Sequence, residues 1–192
     1  MTETNREHGH DREADPKTAA PEAPGRSAFV LTASDRGAGG EREDTSGADV
    51  SRRLEQLGFR VERMVVPDEK GRISRALAAA TVRHPLVVTT GGTGLTPRDV
   101  TPQATKAIVD YEVPGMAESM RAAGRAKTPF ADLSRGVVGV RGRALIVNLP
   151  GSPKGALESL EALVPLLDHA LETLAGPHDH GANPQPKRTT SG

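Results

Sequence analysis

Cysteine and tryptophan are absent from the 192-residue chain, and aromatics make up only 2% of it: Phe29, Phe59, Phe130 and Tyr111. Without cysteine there is no thiol nucleophile, disulfide, iron–sulfur cluster or thiolate-held zinc. So few aromatics cannot build the stacking platform on which single-stranded nucleic acid is held. An excess of either charge is missing as well: 25 Lys+Arg balance 25 Asp+Glu. That excludes a basic nucleic-acid-binding surface and an acidic tail protein. No apolar run approaches the roughly 20 residues of a membrane span, and the N-terminus lacks the apolar stretch of a secretion signal. The expectation is a soluble, cytoplasmic protein with no nucleic-acid or membrane partner.

Hydrophobicity is unevenly spread. Residues 1–26 hold no Ile, Leu, Val, Phe, Trp or Tyr, but many charges and Pro16, Pro21 and Pro24. Such a segment has nothing to bury and is expected to be a disordered tail. Residues 176–192 read the same way. The tails carry His8, His10, His178 and His180, read as solvated. One domain, 27–175, remains. Inside it apolar runs alternate with helical periodicity: 28–33, 59–66, 86–90, 137–140 and 144–149 read as strands. The segments between and after them read as helices, except the Arg141-Gly142 turn between the last two strands. Thr101-Pro102 and Ser152-Pro153 read as caps followed by proline at the first helical turn, and Pro165 is expected to kink the last helix. His84 and His169 read as surface histidines. The pattern predicts a three-layer, doubly wound α/β fold, its mostly parallel sheet covered on both faces. Ligands of such sheets sit beyond the strand C-termini.

Three loops leave predicted strand ends. In TTGGTGLTPRDVTP, from Thr89, the glycines let backbone N–H groups approach an anion. Thr93 and Thr96 add hydroxyls, Arg98 a cation and Asp99 a carboxylate. The loop is neither a P-loop, since Gly-Lys-Ser/Thr is missing, nor a dinucleotide fingerprint, since Pro97 replaces the third glycine. In NLPGSPKG, from Asn148, Ser152 caps a long helix whose N-terminus attracts anions. The third loop, 34–47, opens with Ser34-Asp35-Arg36 and taken alone reads as a charged surface loop. Two anion-friendly loops suggest a ligand with two anionic ends. Asp68 taken alone reads as a helix cap. Beside phosphate donors, Asp68 and Asp99 read as Mg²⁺ ligands, since that ion takes one or two carboxylates plus phosphate oxygens. No nucleophile elbow is present, so acid–base work would fall to carboxylates.

TTGGTGLTPRDVTPQAT, PFADLSRG and IVNLPGSPKG, in this order and spacing, resemble the molybdenum-cofactor biosynthesis domain of the MogA/MoaB type, which also occurs in gephyrin. The resemblance covers about residues 27–175. It implies a doubly wound α/β fold, a homotrimer, and Mg²⁺-dependent adenylylation of molybdopterin by ATP, with pyrophosphate released and the product handed to a molybdenum insertase. The alternative it leaves open is a non-catalytic molybdopterin carrier of the same pathway. Asp68 and Asp99 match the family's catalytic, Mg²⁺-handling pair. Gly91, Gly92, Thr93, Gly94 and Ser134 match its nucleotide-phosphate contacts. Ser34, Asp35, Asn148, Pro150, Gly151 and Ser152 match positions on the molybdopterin side. Gly124 stands where some relatives carry a serine, and DTSG at 44–47 is similar to the MoaB branch, while Pro97-Arg98-Asp99 is intact.

Overall fold

The computed structural model describes residues 26–41 and 43–176. Of the expected tails, 1–26 and 176–192, residues 1–25 and 177–192 lie outside the described residues. Arg26, assigned to the tail, belongs to the domain. Its guanidinium lies 4.6 Å from the centre of the Phe59 ring, it pairs with Asp168, and its carbonyl accepts the Arg60 N–H. Gly176, assigned to the other tail, caps the last helix with its N–H on Glu172 O.

Six strands form one sheet: β1 Ser27–Ala33, β2 Arg60–Val66, β3 Leu86–Thr90, β4 Tyr111–Glu112, β5 Val138–Arg141 and β6 Ala144–Leu149. Their order is β2-β1-β3-β6-β5-β4. β1, β2, β3 and β6 run parallel. The β5–β6 hairpin and the short β4 add an antiparallel edge. The helices are α1 Asp35–Ala38, α2 Thr45–Gln56, α3 Lys70–Ala80, α4 Thr101–Lys106, α5 Pro114–Arg125 and α6 Pro153–Ala175, with a 3₁₀ helix at Pro129–Leu133.

Strand side chains alternate between faces, and two cores follow. Ala28, Val30, Leu86, Val88, Leu145, Val147 and Leu149 face α2, α5 and α6, meeting Leu54, Met120, Leu160 and Leu163. Phe29, Leu31, Val87 and Ile146 face α3 and α4, meeting Ile73, Leu77 and Ala104. β1, β3 and β6, buried on both faces, are apolar throughout their middles for this reason. The register makes the parallel strands end together: Ala33 lies beside Val66, Thr32 beside Thr90, and Thr90 beside Leu149. The loops after β1, β2, β3 and β6 therefore leave the sheet at one edge, where the chain's winding reverses between β1 and β3.

Several local expectations change. Asp68 caps no helix: α3 begins after Glu69 without a side-chain cap. Thr101 is the first residue of α4, not its cap. Pro165, where the sequence predicts a kink, lies inside the continuous α6; its ring is exposed, so water can serve the Glu161 carbonyl that loses its helical donor. His84 is buried, not on the surface. It lies 5.6 Å from Phe29, ring centre to ring centre, with Nε2 3.2 Å from Glu62 Oε2.

Candidate functional site

The four loops interlock at the sheet's C-terminal edge. Ser34 caps α1, its Oγ accepting the Gly37 N–H at 3.1 Å. Asp35 and Asp68 bind each other reciprocally. The Asp35 N–H donates to Asp68 Oδ2 at 2.9 Å and the Asp68 N–H to Asp35 Oδ1 at 3.0 Å. From the glycine loop Arg98 reaches across, its Nε 3.0 Å from Asp35 Oδ2. Asp99 stays within its own loop: Oδ2 accepts the Thr96 N–H at 2.8 Å and the Thr96 hydroxyl at 2.6 Å.

The carboxylates titrate differently because their surroundings differ. Arg98, then the Asp68 N–H, hold Asp35 below its ordinary value. Burial pushes Asp68 up, aided by the charges of Asp35 and Asp99, against the Asp35 N–H and Arg98. Burial also acts on Asp99, but the Thr96 hydroxyl, the N–H groups of Thr96 and Gly94, and the charge of Arg135 together hold it low. No cluster of three or more His, Asp or Glu suited to a metal exists among the described residues. The donors on offer are two carboxylates on adjacent loops, with Asp68 Oδ1 facing Gly92. That set is of the kind a magnesium ion takes together with phosphate oxygens and water.

Two clefts of about 390 Å³ each open here. The first is lined by Thr93, Gly94, Ser134, Asn148 and Pro150. The second is lined by Ser34, Asp44, Ser46 and Gly91. Gly151 and Ser152 border both. Gly91 and Gly151 touch at the divide: a Cβ on Gly151 would sit 3.1 Å from Gly91 Cα. The structure thus divides the candidates differently from the family pattern. Thr93, Gly94 and Ser134 share a cleft with Asn148 and Pro150, while Ser34 joins Gly91. Asp35, Asp68, Gly92 and Asp99 line neither cleft and stand on the adjoining loops. Asn148 is brought to the cleft wall but its amide is committed to the fold, donating to Thr89 Oγ1 at 3.1 Å and Thr105 Oγ1 at 2.9 Å.

Sequence reasoning missed residues on both sides. In the first cleft these are Arg121, Thr128 and Phe130, the last 74% exposed at the rim. In the second, Asp44 is the centre of a polar chain beneath the floor. Ser46 Oγ donates to Thr90 Oγ1 at 3.1 Å, Thr90 to Thr32 Oγ1 at 3.2 Å, and Thr32 to Asp44 Oδ2 at 2.9 Å. Arg63 joins the same oxygen at 2.8 Å, and Oδ1 caps α2 by accepting the Gly47 N–H at 2.9 Å. The signal was present: Asp44-Thr-Ser-Gly47 has the form of a helix cap, yet the 34–47 stretch read as surface loop. With Ser152 capping α6 at Gly155 N, 3.2 Å, the N-termini of α2 and α6 both open on the second cleft. Their free N–H groups favour an anion there.

Comparison with known proteins agrees with this geometry. Residues 29–169 match the family model described as a probable molybdopterin binding domain. A molybdopterin adenylyltransferase of Helicobacter pylori J99 is 40% identical over 154 residues, covering 77% of this chain and 86% of that protein. The crystal structure of the molybdopterin biosynthesis enzyme MoaB from Thermus thermophilus superposes with a TM-score of 0.74 at 52% identity, over 78% of this chain and 96% of that one. The molybdopterin biosynthesis Mog protein of Mycobacterium ulcerans gives 0.74 at 44% identity, over 78% and 99%. The sheet order, the loops gathered at one edge and these likenesses have one reading: the chain belongs to the molybdopterin-binding domain family of molybdenum cofactor biosynthesis.

Proposed function

We propose that the chain is a molybdopterin adenylyltransferase, joining the terminal phosphate of molybdopterin to the α-phosphorus of ATP and releasing pyrophosphate. The observation that carries this reading is the pair of similar clefts sharing the Gly151–Ser152 wall. Two substrates can lie one in each, their phosphates meeting at the divide. The relatives named for this activity, such as the Helicobacter pylori protein, support the same reading.

In the reaction a phosphate oxygen of molybdopterin attacks, the α–β P–O bond breaks, and the electron pair leaves on pyrophosphate. No protein nucleophile is needed, so catalysis rests on positioning and on charge neutralisation. Gly91, Gly92, Thr93 and Gly94 turn the glycine loop close to the phosphates. The N-terminus of α6 behind Ser152 supplies positive backbone dipole at the shared wall. Ser134 offers a hydroxyl in the first cleft, and Asn148 braces that cleft from behind. Ser34 offers a hydroxyl in the second. Asp35 orders its own loop against Asp68 and Arg98. A magnesium ion held by Asp68 and Asp99 would neutralise phosphate charge when bound with ATP. Both carboxylates are kept ready for that: Asp99 is ionised by its hydrogen bonds, and Asp68 keeps Oδ1 toward Gly92.

Pyrophosphate release from ATP and Mg²⁺, with and without molybdopterin, tests the reading. Molybdopterin-dependent release by the wild-type chain, reduced about 10²-fold or more in Asp99→Asn, is the expected result. A folded chain that binds molybdopterin but releases nothing would instead be the carrier. The resemblance also leads us to propose a cytoplasmic homotrimer that hands its product to a molybdenum insertase, and a domain over 27–175, extended by the contacts of Arg26 and Gly176, flanked by tails. Light scattering on the purified chain gives the subunit number directly.

A further inference from the structure

Arg135 follows Ser134 and is half-buried, yet it forms no salt bridge among the described residues. It is turned wholly onto the glycine loop. Its N–H donates to Thr93 O at 2.9 Å, its Nε to Gly94 O at 2.7 Å, and its Nη2 to Asp99 O at 2.5 Å. Peptide units are planar, and none among the described residues is cis. Turning the Thr93 carbonyl toward Arg135 therefore sends the Gly94 N–H to the opposite side of that peptide, and the Asp99 carboxylate packs against Gly94, where a Cβ would meet Oδ2 at 3.0 Å. The main-chain ends of the loop segment, Thr93–Gly94 and Asp99, are thus pinned by one residue. The Asp99 carboxylate lies against the peptide that Arg135 orients, and the Asp99 carbonyl is held by the same guanidinium. The planar guanidinium spans two carbonyls at once; an ammonium, as a point donor, cannot hold both in that geometry.

We propose that Arg135 is a positioning residue of the adenylyl transfer, clamping the glycine loop by its carbonyls and thereby placing the Asp99 carboxylate. The proposal rests on the adenylyltransferase reading for its kinetic part and on the loop geometry alone for its structural part, so the two are tested separately.

Hydrogen exchange of the full-length chain reads the clamp without any substrate. In Arg135→Ala the amides of residues 93–99 should exchange at least about tenfold faster, while those of β3 and β6 keep their protection. Unchanged exchange in that loop overturns the proposal whether or not the chain turns over. Steady-state pyrophosphate release reads the consequence. Arg135→Ala should lower kcat by about 10²-fold, the cost of a misplaced catalytic group, with KM for ATP and molybdopterin moving by less than about threefold. Added methylguanidinium should return at least about tenfold of the lost rate, which a merely unfolded variant would not show. A wild-type kcat in Arg135→Ala, or a loss that methylguanidinium leaves untouched in a variant melting like wild type, overturns the positioning role. Should the alanine variant not fold, Arg135→Lys carries the test. It should lose about tenfold in kcat and show intermediate loop exchange, and a wild-type rate with wild-type exchange overturns the proposal. A wild-type chain that releases no pyrophosphate refutes the adenylyltransferase reading, and the exchange result then stands by itself.

Discussion

At Gly91 the backbone sits at φ +88°, and a Cβ there would lie 2.4 Å from the carbonyl oxygen of Ala33. No side-chain adjustment relieves a contact with backbone. Gly91→Ala is expected to cost about 2–4 kcal/mol, left-handed strain plus overpacking, measured by urea denaturation; a cost under about 1 kcal/mol would contradict it. Asp68 invites the opposite experiment. Its carboxyl is held above its ordinary value of 3.8 by burial, with the charges of Asp35 and Asp99 adding to the effect. The folded chain therefore holds that proton more tightly than the unfolded chain. The resulting stability is fully present below 3.8 and is lost as pH rises through the folded value. Asp68→Asn keeps an acceptor for the Asp35 N–H and removes the charge. In metal-free buffer at pH 7 it should melt roughly a degree or two higher than wild type, and the gain should vanish on acidification toward the ordinary carboxylate value. A lower melting temperature at pH 7, or a gain that grows with acid, would refute this account. A carboxylate that weakens the fold accords with the ligand-holding role proposed for Asp68.

Among the elements, α6 shows how a cap serves both fold and site. Ser152 Oγ accepts the Gly155 N–H at 3.2 Å and stands on the wall between the clefts. Ser152→Ala should lower stability by about 1 kcal/mol and reduce the rate of pyrophosphate release as well; an unchanged rate would confine Ser152 to capping. The Ser-Pro signature, the leucine spacing and the Gly58 helix stop (φ +86°) were legible because each is local. The caps of α3 and α4 were not. Asp68 and Thr101 have the right residue type for a cap, but a tertiary partner holds Asp68, and the Thr101 hydroxyl is buried without a hydrogen-bond partner among the described residues. Asp68 is held by Asp35 from 33 residues away, and the Thr101 hydroxyl lies under Gly92, where a Cβ would approach it to 2.3 Å. Asp44 was passed over for the converse reason. Its capping role is local, but its bonds to Thr32 and Arg63 come from other strands.

For the whole molecule, the end-on alignment of β1, β2, β3 and β6 turns four separate loops into one surface. The domain's edge is sharper than the composition indicated, because Arg26 completes it through Phe59, Asp168 and Arg60. We expect a chain lacking residues 1–25 and 177–192 to melt within about 2 °C of full length and to turn over within about twofold. Extending the deletion through Arg26 should destabilise the chain further, by roughly the 0.5–1 kcal/mol of an exposed cation–π contact, read as a lower melting temperature. Equal melting of the two truncations would show that Arg26 contributes nothing, and a large loss on the first would show that a tail completes the domain.

The alternation of apolar runs with helical periodicity, the caps that act within one turn and the glycine-rich motifs were all properties of neighbouring residues. The α/β class, five of the six strands and the glycine-rich loops at strand ends could therefore be read from the chain order itself, while the two-residue β4 at Tyr111–Glu112 could not. Which loop residues meet could not. The Asp35–Asp68 pair, the two clefts on either side of Gly151 and Ser152, the burial of His84 and the hold of Arg135 on the glycine loop join segments tens of residues apart. Their geometry comes from sheet order and strand register. Those are settled by packing two apolar faces at once, a condition on the whole chain that no short motif carries.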